Sequence, residues 1–204
     1  MPDIIEKPNR LRQGRVMSIE QGWWCKARRE VSPNQDARPQ EEVSLLVLHS
    51  ISLPPRSFGG PYIEQLFTNR LETNEHPFFA TIEGVRVSAH LLIRRGGECV
   101  QFVPFTRRAW HAGRSGWREG TRVRNRVNDF SIGIELEGDE VTPYPEPQYR
   151  ALAEVTAALC HRYPDLTPER ITSHAHIAPE RKTDPGPAFD WAFYRRCLAH
   201  VGVV

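Results

Sequence analysis

Apolar positions along the chain follow two rhythms. Residues 44–49 (Ser-Leu-Leu-Val-Leu-His) form an apolar run with polar flanks, the pattern of a fully buried strand that ends on His49. Residues 130–137 (Phe-Ser-Ile-Gly-Ile-Glu-Leu-Glu) alternate with period two. Ile132, Ile134 and Leu136 then share one face of a strand, and Gly133, Glu135 and Glu137 share the other. Residues 89–94 and 99–103 predict a hairpin around Gly96-Gly97. The rhythm changes after the proline-rich turn at 143–147, where Tyr149, Leu152, Val155, Thr156, Leu159 and Tyr163 recur at helical spacing. A last helix is expected over 189–200, packing through Trp191, Tyr194 and Leu198. A short helix fits 62–70, and a short strand fits 170–173.

The connecting stretches have their own character. Residues 51–61 hold three prolines and two glycines and read as a loop. Residues 105–128 are rich in arginine, glycine and tryptophan with little periodicity, which predicts a long functional loop. Residues 1–42 are polar and proline-punctuated around Trp23-Trp24, and read as a wrapping segment with one or two short strands. Strands and helices interleave, with a hairpin among them. The fold class expected is mixed α/β, a central mixed β-sheet flanked by helices.

Composition narrows the function classes. A chain of 204 residues suits one domain with ample material for a core. A net charge of +2 is too small to imply a nucleic-acid binder. The distribution is more telling: residues 107–126 carry seven arginines and one acid, Glu119. Such a patch attracts an anionic partner, or else is a solvated loop. The four cysteines lie far apart with no C-x-x-C pair, so they read as reduced thiols of a cytosolic protein. The first residues lack a basic segment followed by an apolar run, and no window approaches the roughly 18 apolar residues of a membrane span, so neither export nor insertion is expected.

The chemistry concentrates in residues 174–186 (His-Ala-His-Ile-Ala-Pro-Glu-Arg-Lys-Thr-Asp-Pro-Gly), which set two imidazoles, an ammonium and a carboxylate close together. Lys182 is one of only three lysines among 27 basic residues. Lysine offers a compact, movable charge where arginine offers a rigid fork. A catalytic zinc takes three protein ligands and keeps one position open. His49 at a strand end, His174 after a second strand and Asp184 in a Pro/Gly loop could supply them, though no H-E-x-x-H helix is present. The competing reading is a set of ordinary hydrogen-bonded or exposed histidines. Glu135, near the strand centre, could serve as a general base if its pKa were raised. Glu137 reads better as the wet face of an antiparallel strand.

Five blocks together carry a resemblance. They are Leu-His49-Ser-Ile-Ser-Leu-Pro-Pro, Arg86-Val-Ser-Ala-His-Leu-Leu-Ile-Arg-Arg, Arg108-Ala-Trp110-His-Ala-Gly, Ser131-Ile-Gly-Ile-Glu135-Leu-Glu-Gly and His174-x-x-Ile-Ala-Pro-x-Arg-Lys182-Thr-Asp184-Pro-Gly-Pro. In this order they resemble the zinc N-acetylmuramoyl-L-alanine amidases, the family of the T7-type lysozymes and peptidoglycan recognition proteins, and in particular its cytoplasmic 1,6-anhydro-muramoyl branch. The similarity spans roughly residues 22–200, which implies an N-terminal extension over 1–21 and a single catalytic domain over 22–204.

The resemblance implies that His49, His174 and Asp184 bind Zn2+, that Glu135 is the catalytic carboxylate, and that Lys182 is the cation beside the reacting carbonyl. It implies that Arg86 and Arg126 meet substrate carboxylates, that Ala109 and Trp110 line the groove, and that Ser50 contacts substrate. The expected partner is an anhydro-muropeptide, with neither nucleic acid nor membrane, and the expected state is a cytoplasmic monomer. The chain departs from the family pattern in three places. Ser50 stands where these amidases commonly carry Asn, Ala175-His176 stands where Ser-Asp is frequent, and the loop between Gly113 and Arg126 is longer. On an extended segment His174 and His176 would point to opposite sides, so one alone would reach a metal; the register to Ile-Ala-Pro favours His174. The other readings are a periplasmic-type amidase acting on intact peptidoglycan and a non-catalytic peptidoglycan-binding module.

Overall fold

The computed structural model describes residues 18–204. Residues 1–17 of the expected N-terminal extension lie outside the described residues. The N-terminal region holds four short strands, β1 (Ile19–Glu20), β2 (Trp23–Trp24), β3 (Arg28–Arg29) and β4 (Gln35–Ala37), more than the one or two expected. Ile19 packs against the main core. Next come β5 (Leu45–Ile51), α1 (Tyr62–Phe67), α2 (Pro77–Ala80), β6 (Leu91–Ile93) and β7 (Cys99–Gln101). The 105–128 stretch is not one loop. It contains β8 (Arg107–Ala109), which pairs with β4, and an antiparallel hairpin of β9 (Gly116–Glu119) and β10 (Arg122–Asn125). Its arginines hide the pattern: those of β10 alternate, with Arg122 exposed and Arg124 paired to Glu42. β11 (Ser131–Glu137), α3 (Glu146–Arg162), β12 (Ile171–Ser173), α4 (His174–Ile177) and α5 (Trp191–His200) complete the chain.

Six strands form a mixed sheet in the order β12-β5-β11-β6-β7-β3. β5, β11, β6 and β12 run parallel, and β7 turns back antiparallel to β6. Helices α3 and α5 cover one face. Leu152, Val155 and Leu159 of α3 and Tyr194 and Leu198 of α5 meet Leu46, Leu48, Ile132, Ile134 and Leu136 there. Full burial of side chains this size stabilises by about 1.5–3 kcal/mol each. Pro147 and Glu146 in the first turn of α3, with His161 and Arg162 in its last, suit the helix's conformation and dipole.

A central parallel strand with cover on both faces has no wet side. Glu137 is therefore not solvated as expected; it is only 2% exposed. Its carboxylate accepts from Arg94 Nη1 at 3.0 Å, the Gly59 amide at 2.6 Å and the Arg95 amide at 3.2 Å. A buried charge persists because it is paired in this way.

The face away from α3 is apolar in two places. Leu45, Val47, Ala112, Val127, Phe130 and Ile177 gather at one end, and Leu92, Val100 and Phe102 meet α1 and α2 at the other. His49 follows Val47 on β5, and Leu92 flanks Glu135 on β11, so the polar residues of this face fall between the two clusters.

Candidate metal centre and cleft

Parallel pairing sets Glu135 directly beside His49, and register partners in a sheet share a face. β12 runs along the other side of β5, with Ser173 opposite Leu48. The chain then turns into α4, capped by Ser173 Oγ, which accepts from the His176 amide at 3.1 Å. His174 and His176 thus lie on a helical turn and not on the extended segment expected. Residues two apart on a helix still diverge by about 200°. His174 is buried against His49, whereas His176 is exposed, its ring centroid 5.8 Å from that of Trp117. The Asp184 carbonyl accepts from the Ala175 amide at 3.0 Å, which folds the Pro/Gly loop back onto α4.

Three donor atoms converge as a result. His49 Nδ1 lies 2.9 Å from His174 Nδ1 and 3.3 Å from Asp184 Oδ2, and His174 Nδ1 lies 3.1 Å from that oxygen. Ligands about 2.0–2.1 Å from a tetrahedral zinc stand roughly 3.3 Å apart, so the triangle is of the right size. The chemistry also fits: two imidazole nitrogens and a carboxylate oxygen aim lone pairs at one point, which a dication satisfies and which hydrogen bonds alone satisfy poorly.

Electrostatics follow from burial. Desolvation pushes the His49 imidazole down to about 4, against the pull of Asp184. Burial opposes the charge of Asp184, but the neighbouring His174 and His49 imidazoles outweigh it and hold the carboxyl well below its usual range. Burial and then the Asp184 charge raise Glu135 well above an ordinary glutamic acid, with Lys182 pulling the other way. Glu135 Oε2 is buried with no hydrogen-bond partner among the described residues.

Lys182 is exposed and lines a cleft of about 530 Å³ together with Ser50, Ser52, Arg56, Asp139 and Asp184. The other sequence-derived candidates are more scattered. Trp110 is half-buried on the turn after β8, its amide donating to Ser88 Oγ at 3.0 Å. Ala109 is 0% exposed within the apolar cluster under α1 and α2, so its side chain offers the groove no surface. Arg86 is exposed beside a separate depression near Leu66 and Ile82. Arg126 is exposed, left-handed at φ 59°, and donates from Nε to Asp129 Oδ2 at 2.8 Å. Neither arginine lines the cleft that holds Lys182.

Sequence reasoning overlooked His111, Ser131 and Gly133. His111 Nδ1 lies 2.9 Å from His49 Nε2, and His111 Nε2 lies 3.1 Å from Ser131 Oγ. Burial holds its imidazole well below the ordinary histidine range. The signal was present in the period-two face of β11, where Ser131 and Gly133 precede Glu135. A small residue next to a would-be base leaves room for something to pack there.

The sequence model of the family described as Amidase_2, N-acetylmuramoyl-L-alanine amidase, matches residues 39–187. The 1,6-anhydro-N-acetylmuramyl-L-alanine amidase AmpD of Citrobacter freundii is 57% identical over 180 residues, 88% of this chain and 94% of that protein. A crystal structure of a selenomethionine AmpD derivative superposes with a TM-score of 0.85 at 55% identity, covering 89% of this chain and 99% of that one. The Escherichia coli amidase AmiD, in complex with anhydro-N-acetylmuramic acid-L-Ala-D-gamma-Glu-L-Lys, matches with a TM-score of 0.55 at 29% identity, over 79% of this chain and 60% of that one. The chain belongs to the N-acetylmuramoyl-L-alanine amidase family.

Proposed function

We propose that this protein is a zinc-dependent amidase of peptidoglycan recycling. It hydrolyses the amide between the lactyl group of 1,6-anhydro-N-acetylmuramic acid and L-alanine in muropeptides, as a monomer in the cytoplasm. The observation that carries the reading is the convergence of His49 Nδ1, His174 Nδ1 and Asp184 Oδ2 within 3.3 Å, with Glu135 in register beside His49. The substrate assignment is supported by the names of the AmpD relatives and by the ligand of the AmiD complex.

His49, His174 and Asp184 would hold the zinc, which would supply Lewis-acid chemistry for the scissile carbonyl and for water. The protein's own residues do the rest. Glu135 takes the proton of the attacking water and returns it to the leaving amine, a task that favours a carboxylate raised by burial. Lys182, on the cleft wall, places its ammonium where negative charge develops on the carbonyl oxygen; a preorganised donor of this kind is typically worth about 2.7–4 kcal/mol. Ser50 lines the same cleft and contacts substrate. Trp110 flanks the sugar, and Arg86 and Arg126 attract the stem-peptide carboxylates, which arginine matches bidentately.

The test is incubation with anhydro-muropeptides and with intact cell wall, each with and without a chelator, followed by product identification. Release of free stem peptide from the anhydro-muropeptide, lost on chelation and restored by zinc, is expected. Cleavage of intact wall in preference would point to the periplasmic type, and absence of both would leave a binding module.

A further inference from the structure

We propose that His111, anchored by Ser131 and admitted by Gly133, is a positioning residue that fixes the tautomer of His49 and so presents its Nδ1 lone pair to the metal. This rests on the reading above that His49 is a metal ligand.

The argument follows the protons. Ser131 Oγ lies 2.7 Å from the Val127 carbonyl oxygen, and a carbonyl can only accept. The hydroxyl proton is therefore spent on that oxygen, and the Ser131 lone pairs face His111 Nε2 at 3.1 Å. His111 Nε2 must then carry the ring proton as donor. That leaves His111 Nδ1 as an acceptor, 2.9 Å from His49 Nε2. His49 Nε2 becomes the donor, and its Nδ1 is left bare among His174 Nδ1 and Asp184 Oδ2. One backbone carbonyl thus dictates, through a hydroxyl and an imidazole, which nitrogen of His49 is free to ligate.

The sheet provides for this arrangement. Ser131, Gly133 and Glu135 alternate on one face of β11, so one strand carries the anchor, a gap and the carboxylate in sequence. At the gap, a Cβ on Gly133 would stand 2.4 Å from His111 Cγ, well inside contact distance. Only a residue without a side chain lets the imidazole lie against the strand. The 84° angle between the His49 and His111 rings aims one ring's edge nitrogen at the other. His174 has no equivalent relay, since its outer nitrogen faces Arg181 Nη2 at 3.4 Å, and a guanidinium cannot accept. The two imidazole ligands are thus held differently, and His49 is the preorganised one.

Groups that orient a metal-bound histidine through its other nitrogen typically contribute about 10–100-fold in metal affinity. The experiment measures zinc affinity by chelator competition, and histidine tautomers by long-range 1H–15N NMR on the folded, metal-free protein. In the unsubstituted protein His49 is expected as the Nε2–H tautomer. His111→Phe keeps a ring but cannot accept, and is expected to weaken zinc about 10–100-fold and to mix the His49 tautomers. His111→Gln offers one acceptor and one donor and is expected to recover most of the affinity. Finding His49 protonated on Nδ1 in the metal-free protein, or equal zinc affinity in His111→Phe, would overturn the proposal. Absence of zinc binding in the unsubstituted protein would instead overturn the metal reading itself.

Discussion

Substituting Gly133 by alanine isolates the close approach of His111 from every other property of the site. Gly133 lies inside β11, outside the left-handed region, so alanine adopts its backbone without strain. The whole effect is therefore steric. The added Cβ would stand 2.4 Å from His111 Cγ, 2.5 Å from Nδ1 and 2.7 Å from Cδ2. Carbon contacts settle near 3.5–4.0 Å, so the ring must retreat by about 1 Å or more. It has little room, because His90 and His49 pack on it with ring centroids 5.7 and 5.0 Å away. Retreat disrupts the 2.9 Å contact to His49 and the 3.1 Å contact to Ser131. Overpacking a core costs about 1–3 kcal/mol, and each hydrogen bond lost adds about 1 kcal/mol. Gly133→Ala is thus expected to destabilise the metal-free protein by about 3–5 kcal/mol, read from urea unfolding as a lower midpoint at unchanged slope. A loss under about 1 kcal/mol, with the His111 NMR resonances unmoved, would refute the steric argument.

Other substitutions separate chemistry from binding and folding. Lys182→Met should lower kcat about 100–1,000-fold while zinc content by elemental analysis stays near stoichiometric; near-normal turnover would remove Lys182 from the mechanism. Glu135→Gln should lower kcat about 100–10,000-fold with zinc affinity retained, because the amide keeps the shape but cannot take the proton. Arg126→Ala should raise KM for peptide-bearing substrates with kcat little changed, and an unchanged KM would make Arg126 a partner of Asp129 alone. Arg94→Met leaves the buried Glu137 carboxylate without its cation and should destabilise by about 3 kcal/mol in thermal or urea unfolding, since the Gly59 and Arg95 amides still donate to it.

Much of the fold was legible because local pattern and tertiary role coincide. The apolar run over 44–49 became the interior strand β5, and the helical spacing from Tyr149 to Leu159 became the buried stripe of α3. The alternation over 131–137 correctly separated the core side chains of β11 from the polar ones. Patterns failed where a side chain's surroundings come from distant chain. Glu137 looked solvated because period two says which residues share a face and nothing of what covers that face. The 105–128 stretch looked structureless because its arginines are satisfied by remote acids, as Arg108 is by Asp36 and Asp129 and Arg124 by Glu42.

The sequence by itself determined the residue types, the strands that carry His49 and Glu135, and the loop chemistry around Lys182 and Asp184. Tertiary structure alone decided how they meet. Parallel pairing laid Glu135 beside His49 across 86 residues of chain, and α4 turned His174 inward and His176 out. It also placed His111 behind His49, in the space that Gly133 leaves open. Local propensity acts over a few residues, whereas a metal site is a coincidence of distant backbones in space. Only strand register and close packing can set that coincidence to a fraction of an ångström.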